Sequence, residues 1–261
     1  MIISLKDKKA LVGGASQGLG KAIATQLAAS GASVTIMARN EEKLKKVVSG
    51  LPANNGQQHS YIVVDFADFG SFKIRMEDYF NNQSVDILVN NTNGPKAGTV
   101  LEKNDTDYLS AFNLLFQTVQ YTTALAVKSM KEKRFGRIIN LTSRTVKEPA
   151  DNLALSNTIR AAVVAWGKTL SRDVGRYNIT VNNILTGNFD TERLTQLFEL
   201  QAASQNISLE EITKKAEADI PLQRLGRPGE LANMVAFLAS EQASYITGTS
   251  IPVDGGLLKS I

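Results

Sequence analysis

A glycine-rich turn between a short apolar segment and an amphipathic one limits the possible folds of this chain more than any other feature. Lys9–Gly13 is predicted to be a buried strand, and residues 18–30 have the periodicity of a helix. The turn between them is Gly14-Ala15-Ser16-Gln17-Gly18-Leu19-Gly20. Glycines allow a close approach of the backbone to a ligand, and the helix N-terminus offers unpaired N–H groups. A simple turn would also use glycines, but this position favours a pyrophosphate site.

The rest of the chain alternates apolar runs with amphipathic stretches. The predicted strands are residues 33–38, 60–65, 86–90, 136–141 and 180–185. The predicted helices are residues 41–49, 69–81, 106–134 and 152–177. Apolar strands separated by helices predict an α/β fold: one doubly wound parallel sheet of about seven strands, with helices on both faces. We expect one dinucleotide-binding domain over residues 1–261, with its ligands at the carboxyl ends of the strands.

Composition and charge exclude several classes of function. The formal net charge is only +4, and the basic residues are scattered, so we expect no nucleic-acid partner. The chain has no cysteine, which excludes disulfides and thiolate metal sites, and we expect no metal. No apolar run approaches the roughly 20 residues that span a bilayer, and no signal-peptide pattern is present. These features predict a cytoplasmic protein without a membrane partner.

A long connection follows the last predicted strand, residues 180–185. Residues 187–219 contain two helical patterns of their own, at 192–203 and 209–218. Connections of this length in compact domains usually carry function. We therefore expect a lid over the ligand edge.

Several further motifs occur in a fixed order along the chain. They are Asn90-Asn91-Thr92-Asn93-Gly94, the strand that ends in Ser143, the run Thr186-Gly187-Asn188-Phe189-Asp190-Thr191, Arg224-Leu225-Gly226-Arg227-Pro228-Gly229-Glu230, and Val253-Asp254-Gly255-Gly256. Together with the glycine-rich turn they resemble the short-chain dehydrogenase/reductase family, most closely its 3-oxoacyl-[acyl-carrier-protein] reductases. The resemblance implies a Rossmann-type oxidoreductase that acts on a small-molecule carbonyl or alcohol, with a 3-oxoacyl thioester as one candidate substrate. It also implies a homo-oligomer, either tetramer or dimer.

The resemblance assigns cofactor contacts to residues around the same sheet edge. They are Gly14, Ser16, Gln17, Gly18, Leu19, Gly20, Asp65, Phe66, Asn91, Gly187, Phe189 and Thr191. In the family, the residue at Asp65 lies against adenine, and the run that ends at Thr191 holds the nicotinamide carboxamide.

The end of the second strand indicates which dinucleotide is bound. A carboxylate there would accept hydrogen bonds from the ribose of NAD and repel a 2′-phosphate. This chain has Ala38-Arg39-Asn40 instead. Arg39 can pair with a phosphate and stack on adenine, so NADP(H) is predicted over NAD. The alternative is that Arg39 is an ordinary solvated arginine.

The catalytic motif departs from the family pattern. The resemblance makes Ser143 the catalytic serine and Asn113 the catalytic asparagine of a kinked helix. The family's tyrosine lies thirteen residues after the serine and its lysine four further on, where this chain has Ser156 and Arg160. Loss of a positioned general acid typically lowers a rate by about 10²–10⁴. We expect Ser143 and Ser156 to donate hydrogen bonds, Arg160 to supply positive charge, and water near Asn113 to supply the proton.

Two functional hypotheses remain open from the sequence. The first is an NADP(H)-dependent oxidoreductase with this atypical set of catalytic residues. The second is a pseudoenzyme that binds NADP(H) or acts as an oligomer scaffold. Arg144 and Lys147 either bind an anionic substrate or supply an acid, or they are ordinary loop cations. The single histidine, His59, is predicted to be structural, and Asp151 is predicted to cap the following helix.

Overall fold

The computed structural model describes residues 3–54 and 56–260, which contain one seven-stranded sheet. Its spatial order is β3-β2-β1-β4-β5-β6-β7, and every neighbouring pair is parallel. The strands are β1 Lys9–Gly13, β2 Ser33–Ala38, β3 Ser60–Val63, β4 Ile87–Asn90, β5 Gly136–Ser143, β6 Ile179–Thr186 and β7 Ser250–Val253. The order reverses between β1 and β4, and this is where doubly wound sheets bind ligands. The predicted fold class is confirmed.

Helices cover both faces of the sheet. They are α1 Gly18–Ala29, α2 Glu41–Ser49, α3 Phe69–Asn82, α4 Asp105–Phe112, α5 Thr118–Lys133, α6 Ala154–Val174, α7 Glu192–Gln205, α8 Leu209–Ala218 and α9 Pro228–Ala239. One core cluster joins α1, α2 and α9 to the sheet, and a second joins α3, α5 and the end of α6. Within β1, Ala10 and Val12 belong to the first cluster and Leu11 to the second, so successive side chains enter opposite layers.

A ladder of buried polar side chains holds four strands in register below the ligand edge. Asn90 Nδ2 donates to Asn140 Oδ1 at 2.8 Å, and Asn140 Nδ2 donates to Asn183 Oδ1 at 3.0 Å. The last rung is Asn183 Nδ2 to Ser250 Oγ at 3.2 Å. Gly167 of α6 lies over the ladder, where a Cβ atom would be 3.0 Å from Asn183 Oδ1. These bonds fix β4–β7 against one another because each unpaired buried amide would carry its full desolvation cost.

Some predicted boundaries are wrong, and the sheet explains two of them. β3 ends at Val63, since its partner β2 ends opposite it at Ala38; Asp65 therefore lies beyond the strand. β5 continues to Ser143 because it still pairs with β6 after β4 has ended. The helix predicted over 106–134 is interrupted by a π turn, Asn113–Gln117. The one predicted over 152–177 is helical from Ala154 to Val174 and continues as a short 3₁₀ turn.

The connection after β6 contains α7 and α8, as predicted. Helix α9 was missed by the sequence analysis, although its Pro228 at the first position and Glu230 at the third are signals of a helix start. Among the residues that the structure describes, no helix is both long and apolar enough to cross a bilayer.

Candidate active site

The glycine-rich turn and the end of β1 pack so closely that two of their glycines, Gly13 and Gly20, leave no room for a side chain. Gly14 and Gly18 have φ of 57° and 55°, in the left-handed region. A Cβ atom on Gly20 would lie 2.3 Å from the Gly14 carbonyl oxygen, and one on Gly13 would lie 2.4 Å from the Asn91 carbonyl oxygen. Asn91 also donates from Nδ2 to the Gly13 carbonyl at 3.0 Å. The turn is therefore braced by Asn91, in a space that leaves no room for a side chain at position 13.

The N-terminus of α1 is left uncapped at this turn. Gln17 occupies the cap position, but its side chain does not cap the helix; its Oε1 accepts from Lys43 Nζ at 2.6 Å instead. The first turn of α1 contains no acidic residue. Its N–H groups and the helix dipole are thus available to an anion, as a pyrophosphate site requires.

The start of the connection after β6 lies between β7 and the glycine-rich turn. The Gly187 N–H donates to the last carbonyl of β7 at 3.0 Å. Phe189 is buried and forms an isolated bridge with Gly226. Thr191 caps α7, and its Cγ2 lies 3.6 Å from the position of a Cβ atom on Gly18. The structure therefore brings the predicted nicotinamide-binding segment next to the predicted pyrophosphate-binding turn.

The three residues predicted to bind the adenosine end differ in what they offer. Arg39 is exposed at the end of β2 and makes no hydrogen bond or ion pair with other residues that the structure describes. Asp65 is exposed, and one carboxylate oxygen accepts the Ala67 N–H at 2.9 Å. Phe66 is only 6% exposed and contacts Phe72, with ring centroids 5.4 Å apart. Arg39 and Asp65 thus have polar atoms available to a ligand, whereas the Phe66 ring is part of the core.

Ser143 ends β5 with its acceptor capacity already used. Its Oγ accepts from the Thr145 N–H at 3.2 Å and from the Thr145 hydroxyl at 3.0 Å. A serine hydroxyl has one proton to donate and two lone pairs. The Ser143 proton therefore remains available for a substrate oxygen.

Ser156 and Arg160 lie one turn apart on α6 and are linked to β5. Arg160 Nε donates to Ser156 Oγ at 3.3 Å, and its Nη1 donates to the Leu141 carbonyl at 2.9 Å. β4 ends at Asn90, which pairs with Asn140 of β5. No residue of β4 therefore lies opposite Leu141, and its carbonyl can accept from Arg160. Burial lowers the pKa of Arg160 to about 10, so the side chain stays charged near neutral pH. No described carboxylate pairs with it.

Asn113 begins the π turn between α4 and α5. The Thr118 N–H donates to the Asn113 carbonyl, which gives the wider spacing of a π turn. The Asn113 side chain is half-buried and forms no hydrogen bond with another residue in the described part of the chain. Single π turns inside helices occur frequently at functional sites. The irregular helix expected at this position is therefore present.

Sequence reasoning missed two residues that shape the site and misassigned one. Thr145 supplies both donors to Ser143, and the Lys43 side chain reaches Gln17. A serine followed two residues later by a threonine is a weak signal of such a local bond. Asp151 was expected to cap α6, but the cap position is Leu153 and Asp151 is exposed. This prediction is wrong because the helix begins later than expected.

His59 lies away from the ligand edge, and the backbone uses both of its ring nitrogens. Nδ1 accepts the Val34 N–H at 3.1 Å, and Nε2 lies 2.9 Å from the Pro52 carbonyl. This agrees with the predicted structural role. The described residues contain no group of three or more histidine, aspartate or glutamate side chains placed to hold a metal ion.

Comparison with known proteins gives a consistent set of relatives. Residues 14–258 match a protein-family model described as enoyl-(acyl carrier protein) reductase. The NADPH-dependent reductase BacG of Bacillus subtilis is 35% identical over 98% of this chain and 100% of its own length. The 3-oxoacyl-[acyl-carrier-protein] reductase FabG of Aquifex aeolicus is 31% identical, with coverage of 98% and 100%.

Solved structures match over the whole fold. The L-sorbose reductase from Gluconobacter frateurii, complexed with NADPH and L-sorbose, has a TM-score of 0.93 and 28% identity, with 100% of both chains covered. YwfH, an NADPH-dependent reductase involved in bacilysin biosynthesis, has a TM-score of 0.89 and 32% identity, with coverage of 97% and 99%. The likeness therefore extends from sequence to backbone geometry.

Proposed function

The chain belongs to the short-chain dehydrogenase/reductase family, and we propose that it is an NADP(H)-dependent oxidoreductase that uses an atypical donor set. It is an oxidoreductase because its similar relatives are reductases and dehydrogenases of this family. The observation that carries the proposal is the arrangement of Ser143, Ser156 and Arg160 at the sheet edge that also bears the glycine-rich turn. A catalytically silent binding or scaffold role has no comparable observation in its favour.

NADP(H) fits the residues around this edge. The turn excludes side chains at Gly13 and Gly20, and the N-terminus of α1 is uncapped, which suits a pyrophosphate. Arg39 is unpaired with any described residue and suits a 2′-phosphate. BacG is named as NADPH-dependent and the sorbose reductase was solved with NADPH, which supports the same assignment here. We assign the nicotinamide end to the segment from Gly187 to Thr191.

When bound, NADPH supplies the hydride, and the chain must stabilise the negative charge that develops on the substrate oxygen. Ser143 and Ser156 each accept hydrogen bonds from the protein, and each keeps a proton for that oxygen. Arg160 holds a positive charge beside them but cannot release its proton near neutral pH. We assign the proton to water at the Asn113 π turn. Such a site stabilises charge well and protonates slowly.

The missing acid favours one second candidate, reduction of a C=C bond conjugated to a carbonyl. Hydride addition to the β carbon leaves an enolate, whose charge is delocalised and less basic than that of an alkoxide. The α carbon then takes a proton from water, so no strong acid beside the oxygen is required. The matching family model is described as enoyl-(acyl carrier protein) reductase, which supports this candidate. Substrate identity, cytoplasmic location and a homo-oligomeric state remain predictions.

The test is NADPH oxidation with a panel of ketones, each paired with its α,β-unsaturated counterpart, followed by product analysis. Alcohol products from the ketones support carbonyl reduction, and saturated ketones from the enones support the second candidate. NADPH binding without turnover of any pair would contradict both and favour a non-catalytic role.

A further inference from the structure

The loop that follows Ser143 carries two cations, Arg144 and Lys147, that form no ion pair within the described part of the chain. Arg144 begins the short 3₁₀ turn Arg144–Val146 and is half-buried, and Lys147 directly follows the turn and is exposed. Neither side chain forms a hydrogen bond or an ion pair with any residue in the described ranges. Surface cations are common, so their position decides whether they matter. These two lie one and four residues after Ser143, at the reacting edge of the sheet.

The neighbouring acid, Glu148, interacts only weakly with Arg144, because its carboxylate is hydrogen-bonded to the C-terminal segment. Glu148 Oε1 accepts the backbone N–H of Lys259 at 2.9 Å and of Ser260 at 2.6 Å. These bonds and, more weakly, Arg144 lower the pKa of Glu148, so the carboxylate stays ionised while it holds the C-terminal segment. Asp151, farther along the loop, is exposed and makes no ion pair within the described residues. The hydrogen-bonding capacity of Arg144 and Lys147 is therefore left for a ligand.

The same loop is held at three points, which makes it a defined surface. The Thr145 N–H and hydroxyl bind Ser143 Oγ, and Glu148 binds the C-terminal segment. At its far end the Gly98 N–H donates to the Asn152 carbonyl at 2.7 Å. A fixed backbone lowers the entropy that is lost when the two side chains it carries bind an anion.

We propose that the substrate of this site is a small carbonyl compound that carries a carboxylate, and that Arg144 and Lys147 bind that carboxylate. The inference rests on the proposed function. Arg144 and Lys147 lie one and four residues after Ser143, so we place the carboxylate of the substrate within a few bonds of the carbonyl that Ser143 would contact. An oxo acid meets this condition, whereas a long acyl thioester places no negative charge near its carbonyl. The paired serines and Arg160 bind the carbonyl oxygen, and the loop cations bind the carboxylate.

The test compares charged and neutral forms of one carbon skeleton. 2-Oxopentanoate and 4-oxopentanoate, each with its methyl ester, are titrated by calorimetry into the protein saturated with NADP⁺, which allows binding without turnover. We expect each acid that fits to bind about tenfold more tightly than its ester, as for a charge-assisted contact. Added salt should weaken the acid and not the ester. Equal binding of acid and ester, or no acid binding at millimolar concentrations, would overturn the proposal.

Variants test whether the two cations cause the difference in affinity between acid and ester. Arg144→Gln and Lys147→Gln should each weaken the acid several-fold and leave the ester unchanged. Lys128→Gln, at an exposed position on α5, is the matched control and should change neither. Loss of turnover for acid and ester alike in Lys147→Gln would contradict the proposal, since it would make this lysine an acid catalyst. Failure of NADP⁺ to bind would instead overturn the proposed function, and the same titrations without nucleotide would then decide the anion site.

Discussion

At the scale of single residues, the site contains a position that has no room for a side chain and a charged side chain that has no oppositely charged partner among the described residues. Gly13 lies against the Asn91 carbonyl, and Arg160 is charged without a carboxylate partner among the described residues. Both residues therefore have local structural consequences. Each leads to a substitution whose effect can be measured.

Gly13→Ala should destabilise the protein and weaken NADPH binding. The new Cβ atom would lie 2.4 Å from the Asn91 carbonyl oxygen, so β1 and the loop after β4 must separate. Overpacking of this kind typically costs about 1–3 kcal/mol. Urea unfolding and NADPH fluorescence measure the two effects. Gly94→Ala is the control, since a Cβ atom there meets nothing within 4 Å. Equal stability of the two variants would show that the contact at position 13 relaxes freely.

Arg160→Gln should lower kcat by roughly tenfold to a thousandfold, because it removes the only charge assigned to the substrate oxygen. NADPH affinity should change much less. Glutamine keeps hydrogen-bonding capacity toward the Leu141 carbonyl, which limits structural damage. Arg172→Gln, at an exposed position on the same helix, is the matched control. Steady-state kinetics on any substrate found in the panel gives the answer. An unchanged kcat would remove Arg160 from the proposed chemistry.

At the scale of elements, polar contacts set how the strands and the connection after β6 are held. The asparagine ladder fixes β4–β7 three residues below the ends of β5 and β6. At the other side of the site, Arg224 binds Glu230 at the start of α9 through two hydrogen bonds of 2.9 and 2.7 Å. The asparagine ladder is buried and the Arg224–Glu230 pair is exposed. We therefore expect the ladder to contribute to the free energy of unfolding and the pair to contribute a dependence of stability on pH.

Asn140→Leu should cost about 2–4 kcal/mol of unfolding free energy, because Asn90 and Asn183 would each lose a buried partner. The side chain is only 1% exposed, so water cannot replace the lost bonds. Urea unfolding measures the change. Asn82→Leu, at an exposed position near the end of α3, is the control. A loss below about 0.5 kcal/mol would mean that the ladder adds little beyond the sheet itself.

The Arg224–Glu230 pair should make stability depend on pH below about 4.5. Its hydrogen bonds, with one from the Arg227 N–H, lower the pKa of Glu230 to about 2 from a usual 4.5. A depressed carboxyl pKa stabilises the fold above the unfolded value, and this contribution is lost as pH falls toward the folded value. Melting temperature should fall less steeply between about pH 5 and 3 in Glu230→Gln than in the natural protein. Parallel curves would contradict the assignment.

At the scale of the whole molecule, the architecture could be predicted from the sequence, whereas the side-chain contacts of the site could not. Alternating apolar and amphipathic segments predicted the parallel sheet, since burial on two faces leaves that pattern in β1, β2 and α2. Chain order also predicted that the glycine-rich turn and Ser143 share one edge. Two contacts of the site depend on side-chain directions and on where the strands end. They are the hydrogen bond between Thr145 and Ser143 and the bond from Arg160 to the Leu141 carbonyl. No periodicity encodes these, and the late start of α6 was missed for the same reason.

The central claim is that this edge binds NADP(H) for catalysis, and titration with NADPH and NADH tests it most directly. Nicotinamide fluorescence is followed for the natural protein and for Arg39→Ala. NADPH should bind at least about tenfold more tightly than NADH, since Arg39 adds a charge-assisted contact to the 2′-phosphate. The variant should lose that preference and keep its affinity for NADH. Binding of neither nucleotide by the folded protein would contradict the account.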